Sequence, residues 1–189
     1  VSRTFIESPD LRGDLLVRTL YMLGTPNAGS AFSKIATYRD LATAGMTFAF
    51  NFKTFGAASL AQKITGLSVT KSLTVTLEQM GVNSPFLRTL NNRAASQNVK
   101  YYVIAGDITN YKGTATGVLA KLVDWASVQV GNVVYGKDKN DIAVSTDSIL
   151  GVPSYFNPIT ERVDCHHMVY FVHEPSMKIL EGWMKEGAN

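Results

Sequence analysis

Val17-Arg18-Thr19-Leu20-Tyr21-Met22-Leu23, followed at once by Gly24-Thr25-Pro26-Asn27, is the stretch on which the fold turns. It is β-branched and apolar without the strict alternation of a half-exposed strand. It therefore reads as a buried parallel strand that stops in a Gly/Pro turn. A second run of the same kind, Lys100 to Ala105 (KYYVIA), closes in Gly106-Asp107. Parallel strands need long crossovers, so two such runs separated by helical sequence imply βαβ connectivity and the α/β class.

Between these strands, residues from about 37 to 80 are long for a simple crossover and carry phenylalanines at 48, 50, 52 and 55. An insertion of that length is expected to have structure of its own, either a helical cap over a site or an ordinary packed excursion. Ser84-Pro85 opens a helix to about Ala95, because Ser accepts a free amide at the cap and Pro lacks the one it would leave unpaired. Thr114 to Val128 has near-helical spacing, and Gly136 to Asn140 is a turn. Glu174 to Glu186 forms a terminal amphipathic helix with Met177, Leu180, Trp183 and Met184 on one face. No internal repeat or low-complexity tract occurs.

The chain has 189 residues, enough for one domain with a sizeable core. Hydrophobic residues make up 46% and charged residues 17%, which excludes a disordered chain. Lys plus Arg number 18 against 15 Asp plus Glu, and the basic residues are scattered, so no nucleic-acid partner is expected. The longest apolar stretch is broken by Asn51 and Lys53, so no transmembrane segment is expected either. A single cysteine, Cys165, excludes an internal disulfide and favours a reducing, cytoplasmic compartment without fixing it.

Chemistry concentrates in two late segments, Asn140-Asp141-Ile142-Ala143-Val144-Ser145-Thr146-Asp147-Ser148 and Cys165-His166-His167-Met168-Val169-Tyr170-Phe171. Acyl transfer needs an imidazole to take a proton from a serine hydroxyl and a carboxylate to fix the imidazole's tautomer. Asp141 and His167 are the candidates for those roles. Asp107, directly after a strand, is the rival acid, and Asp138 and Asp147 are further turn acids. Adjacent side chains diverge, so at most one of His166 and His167 faces the acid. Cys165, His166, His167 and His173 lack the spacing that converges ligands, so no metal and no cofactor is expected. Cys165 reads as a buried small hydrophobe.

These segments, in this order, resemble the carboxy-terminal half of the α/β-hydrolase-fold lipases and esterases. Gly24-Thr25-Pro26-Asn27-Ala28-Gly29-Ser30 is similar to the G-T-P-x-x-G-S segment of many of them. It lacks the Lys of a phosphate-binding loop, with Ala31 following Ser30. Asp141, Val144 and Ser148 resemble the D-x-x-V-x-x-x-S acid loop, and His167 with Tyr170-Phe171 resembles the catalytic-histidine loop. The resemblance implies a parallel sheet with flanking helices and a helical cap insertion at about 37–80. It makes 1–189 the later part of one hydrolase domain, with Asp141 and His167 catalytic. Thr25, Pro26, Asn27, Phe48 and Phe52 then line the path of a small-molecule or lipid-like ester.

The pattern fails in one place: no G-x-S-x-G nucleophile elbow occurs in the chain. Val1-Ser2-Arg3-Thr4-Phe5-Ile6 resembles the continuation of the elbow helix. The nucleophile is therefore expected upstream, in an amino-terminal half that would be this chain's partner, and the 189 residues alone are expected to be inert. Loss of the chemistry with retention of the fold, as a binding or scaffolding module, is the alternative. A split sheet would also leave a strand edge exposed, which predicts self-association of the isolated piece.

Overall fold

The computed structural model describes residues 1–31, 78–94, 98–113 and 134–187, together with the isolated positions 75, 96, 128 and 132. The expected cap at 37–80, with Phe48, Phe52 and the neighbouring phenylalanines, and the expected helix at 114–128 lie almost wholly outside the described residues.

Three parallel strands form one sheet in sequence order: β1 (Thr19–Leu23), β2 (Lys100–Gly106) and β3 (Ile159–Val163). The register sets Leu23 beside Ile104 and Gly106 beside Val163, so all three strands end at one edge of the sheet. The α/β reading of the sequence is thus correct in class. Observed β1 begins two residues later than the apolar run suggested. The amide of Val17 is still bonded to Gly13 O, closing the short 3-10 turn Gly13–Leu15.

β2 is central, and its burial explains why its sequence does not alternate. Tyr101, Val103 and Ala105 face one core with Ile6, Met22, Val144 and Ile149, whereas Tyr102 and Ile104 face a second core with Tyr170, Leu180 and Trp183. Helix α1 (Ser2–Glu7) covers the first face and α4 (Glu174–Gly187) the second. Between them lie α2 (Pro85–Asn91) and α3 (Thr146–Ile149). No helix of the described residues is long and apolar enough to cross a membrane.

Local chemistry sets the helix ends. Ser84 Oγ accepts the Leu87 amide at 3.1 Å with Pro85 at the first position, as the sequence indicates. The helix stops at Asn91, earlier than expected, because the Asn92 amide is shared between Arg88 O and Leu90 O in a tightened last turn. In α4 the buried arc is centred on Ser176, Leu180 and Trp183. At roughly 100° per residue, Met184 stands at the rim of that arc and is exposed, not part of the apolar face that the sequence predicts.

β3 lacks an apolar run. Only Val163 in it is buried, and Glu161 and Arg162 are exposed, charges of the kind that blunt a sheet edge.

Arg3 ties α1 to its surroundings. Its guanidinium is bidentate on Glu7 at 2.8 and 3.1 Å, reaches Asn91 Oδ1 at 2.9 Å and Asn27 Oδ1 at 3.4 Å, and lies over the Phe156 ring. Because Asn27 belongs to the turn after β1, the first turn of α1 sits at the carboxyl edge of the sheet.

Candidate active site

Three loops meet at that carboxyl edge: the turn from Gly24, the segment before α3, and the segment after β3. Open α/β sheets place their ligands at this edge. Asp141 approaches from the second loop and His167 from the third, and His167 Nδ1 lies 2.8 Å from Asp141 Oδ2. A second link joins the same residues through the main chain, the His167 amide donating to Asp141 O at 2.8 Å. They lie 26 positions apart in sequence, with α3 and the whole of β3 between them.

Asp141 is fully buried. Its Oδ1 accepts the amides of Ala143 (3.1 Å) and Val144 (2.8 Å), and its Oδ2 accepts both His167 and the Tyr170 hydroxyl at 2.9 Å. Backbone donors and a hydroxyl fill the lone pairs, so a buried carboxylate is tolerated here without a Lys or Arg. The sharp turn that brings two amides onto one oxygen puts Ile142 at φ +84°, a left-handed conformation rare for a β-branched residue.

The hydrogen bond to Asp141 holds the His167 imidazole above its ordinary value of 6.5, with burial opposing it and the carboxylate's charge adding to it. The side chain is 37% exposed, and among the described residues Nε2 has no hydrogen-bond partner. His166 points elsewhere: its Nδ1 accepts the Met168 amide and its ring meets Tyr111 edge-on. The loop beyond His167 is apolar and outward, with Met168 82%, Phe171 71% and Val172 73% exposed.

β2 ends in Gly106 and β1 is followed at once by Gly24, and the space those glycines leave is filled by the site. A Cβ on Gly24 would lie 2.7 Å from Tyr170 Cε2, 2.8 Å from Asp141 Oδ2 and 2.9 Å from His167 Nδ1. A Cβ on Gly106 would lie 2.6 Å from both Cys165 O and Tyr170 Oη. Sequence reasoning treated these glycines as turn signals. It named Tyr170 only as part of a motif.

The other sequence candidates fall into separate environments. Asp107 is bound to Lys139 Nζ at 3.1 Å and takes the Thr109 amide and hydroxyl, away from His167. Burial raises its pKa, but the Thr109 and Lys139 bonds outweigh that and leave it below the usual range. A cavity of about 600 Å3 beyond Asp107 and Asp164 contains neither Asp141 nor His167. Asp147 is exposed, 3.9 Å from Arg162. Thr25 and Pro26 are half-buried in the turn after β1.

Asn27, expected to meet substrate, is 1% exposed, and its polar atoms are engaged by Arg3, Ile149 O and Asn91. Its role there is to brace the turn. Cys165 is buried, which pushes its thiol up to about 12, and His173 Nδ1 is paired with Ser176 Oγ. Among the described residues no three His, Cys, Asp or Glu side chains are grouped to hold a metal ion.

No curated protein matches the sequence. One family model does, over residues 1–185, and because that is nearly the whole chain, the protein belongs to the family described as a domain of unknown function, DUF7379.

Proposed function

We propose that the protein is a serine-dependent carboxylic ester hydrolase of the α/β-hydrolase type, with Asp141 and His167 as the acid and the base of its triad. The observation that carries this reading is the 2.8 Å Asp141–His167 bond at the carboxyl edge of a parallel sheet, with Nε2 of the imidazole left open. The acid follows β2 and the histidine follows β3, the chain order of that fold.

In the reaction, Nε2 takes the proton of a serine hydroxyl as the oxygen attacks the ester carbonyl. It then returns that proton to the departing alkoxide, leaving an acyl-serine. Water repeats the sequence to release the acid. Asp141 keeps Nδ1 protonated and stabilises the imidazolium between the steps. The exposed Met168, Phe171 and Val172 beside His167 support an ester with an apolar or lipid-like acyl group.

Since no G-x-S-x-G occurs in the 189 residues, this reading requires a serine delivered by sequence outside them.

The same missing elbow favours a second reading, a non-catalytic binding module that keeps the fold. The two separate by experiment. In the intact protein, a fluorophosphonate labels a serine and His167→Ala abolishes both labelling and turnover of p-nitrophenyl esters. Unlabelled wild-type protein, or turnover that survives His167→Ala, refutes the hydrolase.

A further inference from the structure

We propose that Tyr170 is a positioning residue for the Asp141–His167 pair: its hydroxyl joins the end of β2 to the carboxylate oxygen that faces the imidazole, and it tunes how strongly that oxygen holds the histidine. The catalytic readout of this idea rests on the hydrolase reading, whereas its effect on His167 does not.

The phenol oxygen has one proton to give and lone pairs to receive. It accepts the Gly106 amide at 2.6 Å, which leaves its proton directed at Asp141 Oδ2, 2.9 Å away. The ring is 2% exposed and packed in the second core with Cys165, Leu180 and Trp183, so the hydroxyl has no freedom to turn toward solvent. The places its ring and hydroxyl occupy are those that side chains on Gly24 and Gly106 would have taken. Burial, followed by the charge of Asp141, pushes the phenol far above its ordinary value, so it stays a donor at every working pH.

A donor on Oδ2 competes with His167 for the same oxygen. It draws charge from that oxygen and thereby weakens its stabilisation of the imidazolium. Tyr170 therefore fixes the carboxylate's direction while keeping the histidine less basic than an unshared carboxylate would make it. A base must be neutral to accept a proton, so that restraint serves catalysis near neutrality.

Among the described residues the titratable groups around His167 are few, so the effect can be isolated. The acid loop presents Asp141, its own loop presents Tyr170 and the protonated Cys165, and β1 and β2 present Gly24 and Gly106. His166 faces Tyr111 instead.

The test is an imidazole NMR titration of His167 in the intact protein with two changes of opposite sign. Tyr170→Phe removes the donor and is expected to raise the His167 pKa by about half a unit. Replacement of Tyr170 by 3,5-difluorotyrosine makes the phenol a stronger donor in nearly the same volume, and is expected to lower the His167 pKa. If Tyr170→Phe fails to fold, the fluorinated protein alone decides the sign.

The acid limb of kcat/KM on p-nitrophenyl butyrate should follow the same two shifts. An unmoved His167, or any shift in the wrong direction, overturns the proposal. A correctly shifting histidine in a protein that turns over no ester leaves Tyr170 in its place and overturns the hydrolase reading instead.

Discussion

Gly24 and Gly136 both hold the left-handed backbone at φ +61°, which makes alanine at the two positions a matched pair. In that region a Cβ costs about 1–2 kcal/mol against its own backbone, at either site. At Gly136 the new methyl group meets nothing within 4 Å among the described residues, whereas at Gly24 it lands 2.7 to 2.9 Å from Tyr170, Asp141 and His167. Contacts that short force neighbours apart, and overpacking adds about 1–3 kcal/mol. Gly136→Ala is therefore expected to cost about 1–2 kcal/mol and Gly24→Ala about 2–5 kcal/mol. At roughly 2–4 °C per kcal/mol for a chain of this length, the two melting temperatures differ by about 2–12 °C. The chemical signature is sharper, because two of the three displaced atoms are the ends of the Asp141–His167 bond. In Gly24→Ala the His167 pKa falls back toward 6.5, and in Gly136→Ala it does not move. Denaturant unfolding and an imidazole NMR titration measure the two effects. Equal stability losses, or an unperturbed His167 in Gly24→Ala, would refute the view that Gly24 exists to admit the pair.

Four further outcomes follow from the same contacts. Asp141→Asn keeps the volume but can present an amide donor to Nδ1, so under the proposed hydrolase function ester turnover of the intact protein should fall by roughly 10^3–10^4; a loss under tenfold removes Asp141 from the acid's role. Asp107→Asn should leave turnover nearly unchanged, since its carboxylate serves Lys139 and Thr109. With a folded pKa below the ordinary 3.8, Asp107 contributes stability that is present above that value and lost as pH falls through the folded one, so acid unfolding of the variant should lack that component. His167 has the opposite sign: its folded pKa lies above 6.5, so its contribution is complete below pH about 6.5 and lost as pH rises through the folded value. The stability gap between wild type and His167→Ala, read by urea unfolding, should therefore be wider at pH 6 than at pH 8. Arg3→Ala leaves the Glu7 carboxylate buried without its partner and should cost about 3–5 kcal/mol, most of it recovered by Arg3→Met with Glu7→Leu.

The sequence showed β1 and β2 because each is a short apolar run closed by a Gly turn whose side chains pack into cores on both faces, β2 almost completely buried and β1 half-buried with Met22 innermost. It did not show β3. Ile159-Thr160-Glu161-Arg162-Val163 is an edge strand of the described sheet with a single buried position, so its periodicity carries almost no signal. Nor did it show α3, a single turn whose existence depends on Ser145 capping Ser148 and on Thr146 reaching Gly106 O. Asp141 and His167 were visible as a spaced pair of residue types, but their contact depends on a crossover through β3. Tyr170 was legible only as the residue three places after the histidine. What gives it a role is the Gly106 amide, 64 positions earlier, and nothing local to Tyr170 encodes that meeting.

The strongest argument that the acid loop is more than a turn comes from what it tolerates. Ile142 at φ +84° carries strain of about 1–3 kcal/mol, which persists only where the surroundings overdetermine the backbone. They do so here: the Ile142 amide is held by Asn140 Oδ1, the Asp141 amide by Val144 O, and the Asp141 carbonyl by the His167 amide. A solvated turn acid needs none of this, because water would satisfy its carboxylate in any backbone. The loop accepts a strained residue in order to bury one aspartate, fill both of its oxygens with fixed donors, and aim one of them at an imidazole whose other nitrogen has no partner among the described residues. Folding alone would have been served as well by a glycine at 142 and an exposed acid at 141, so the strain is best explained by the work that the buried carboxylate does on His167.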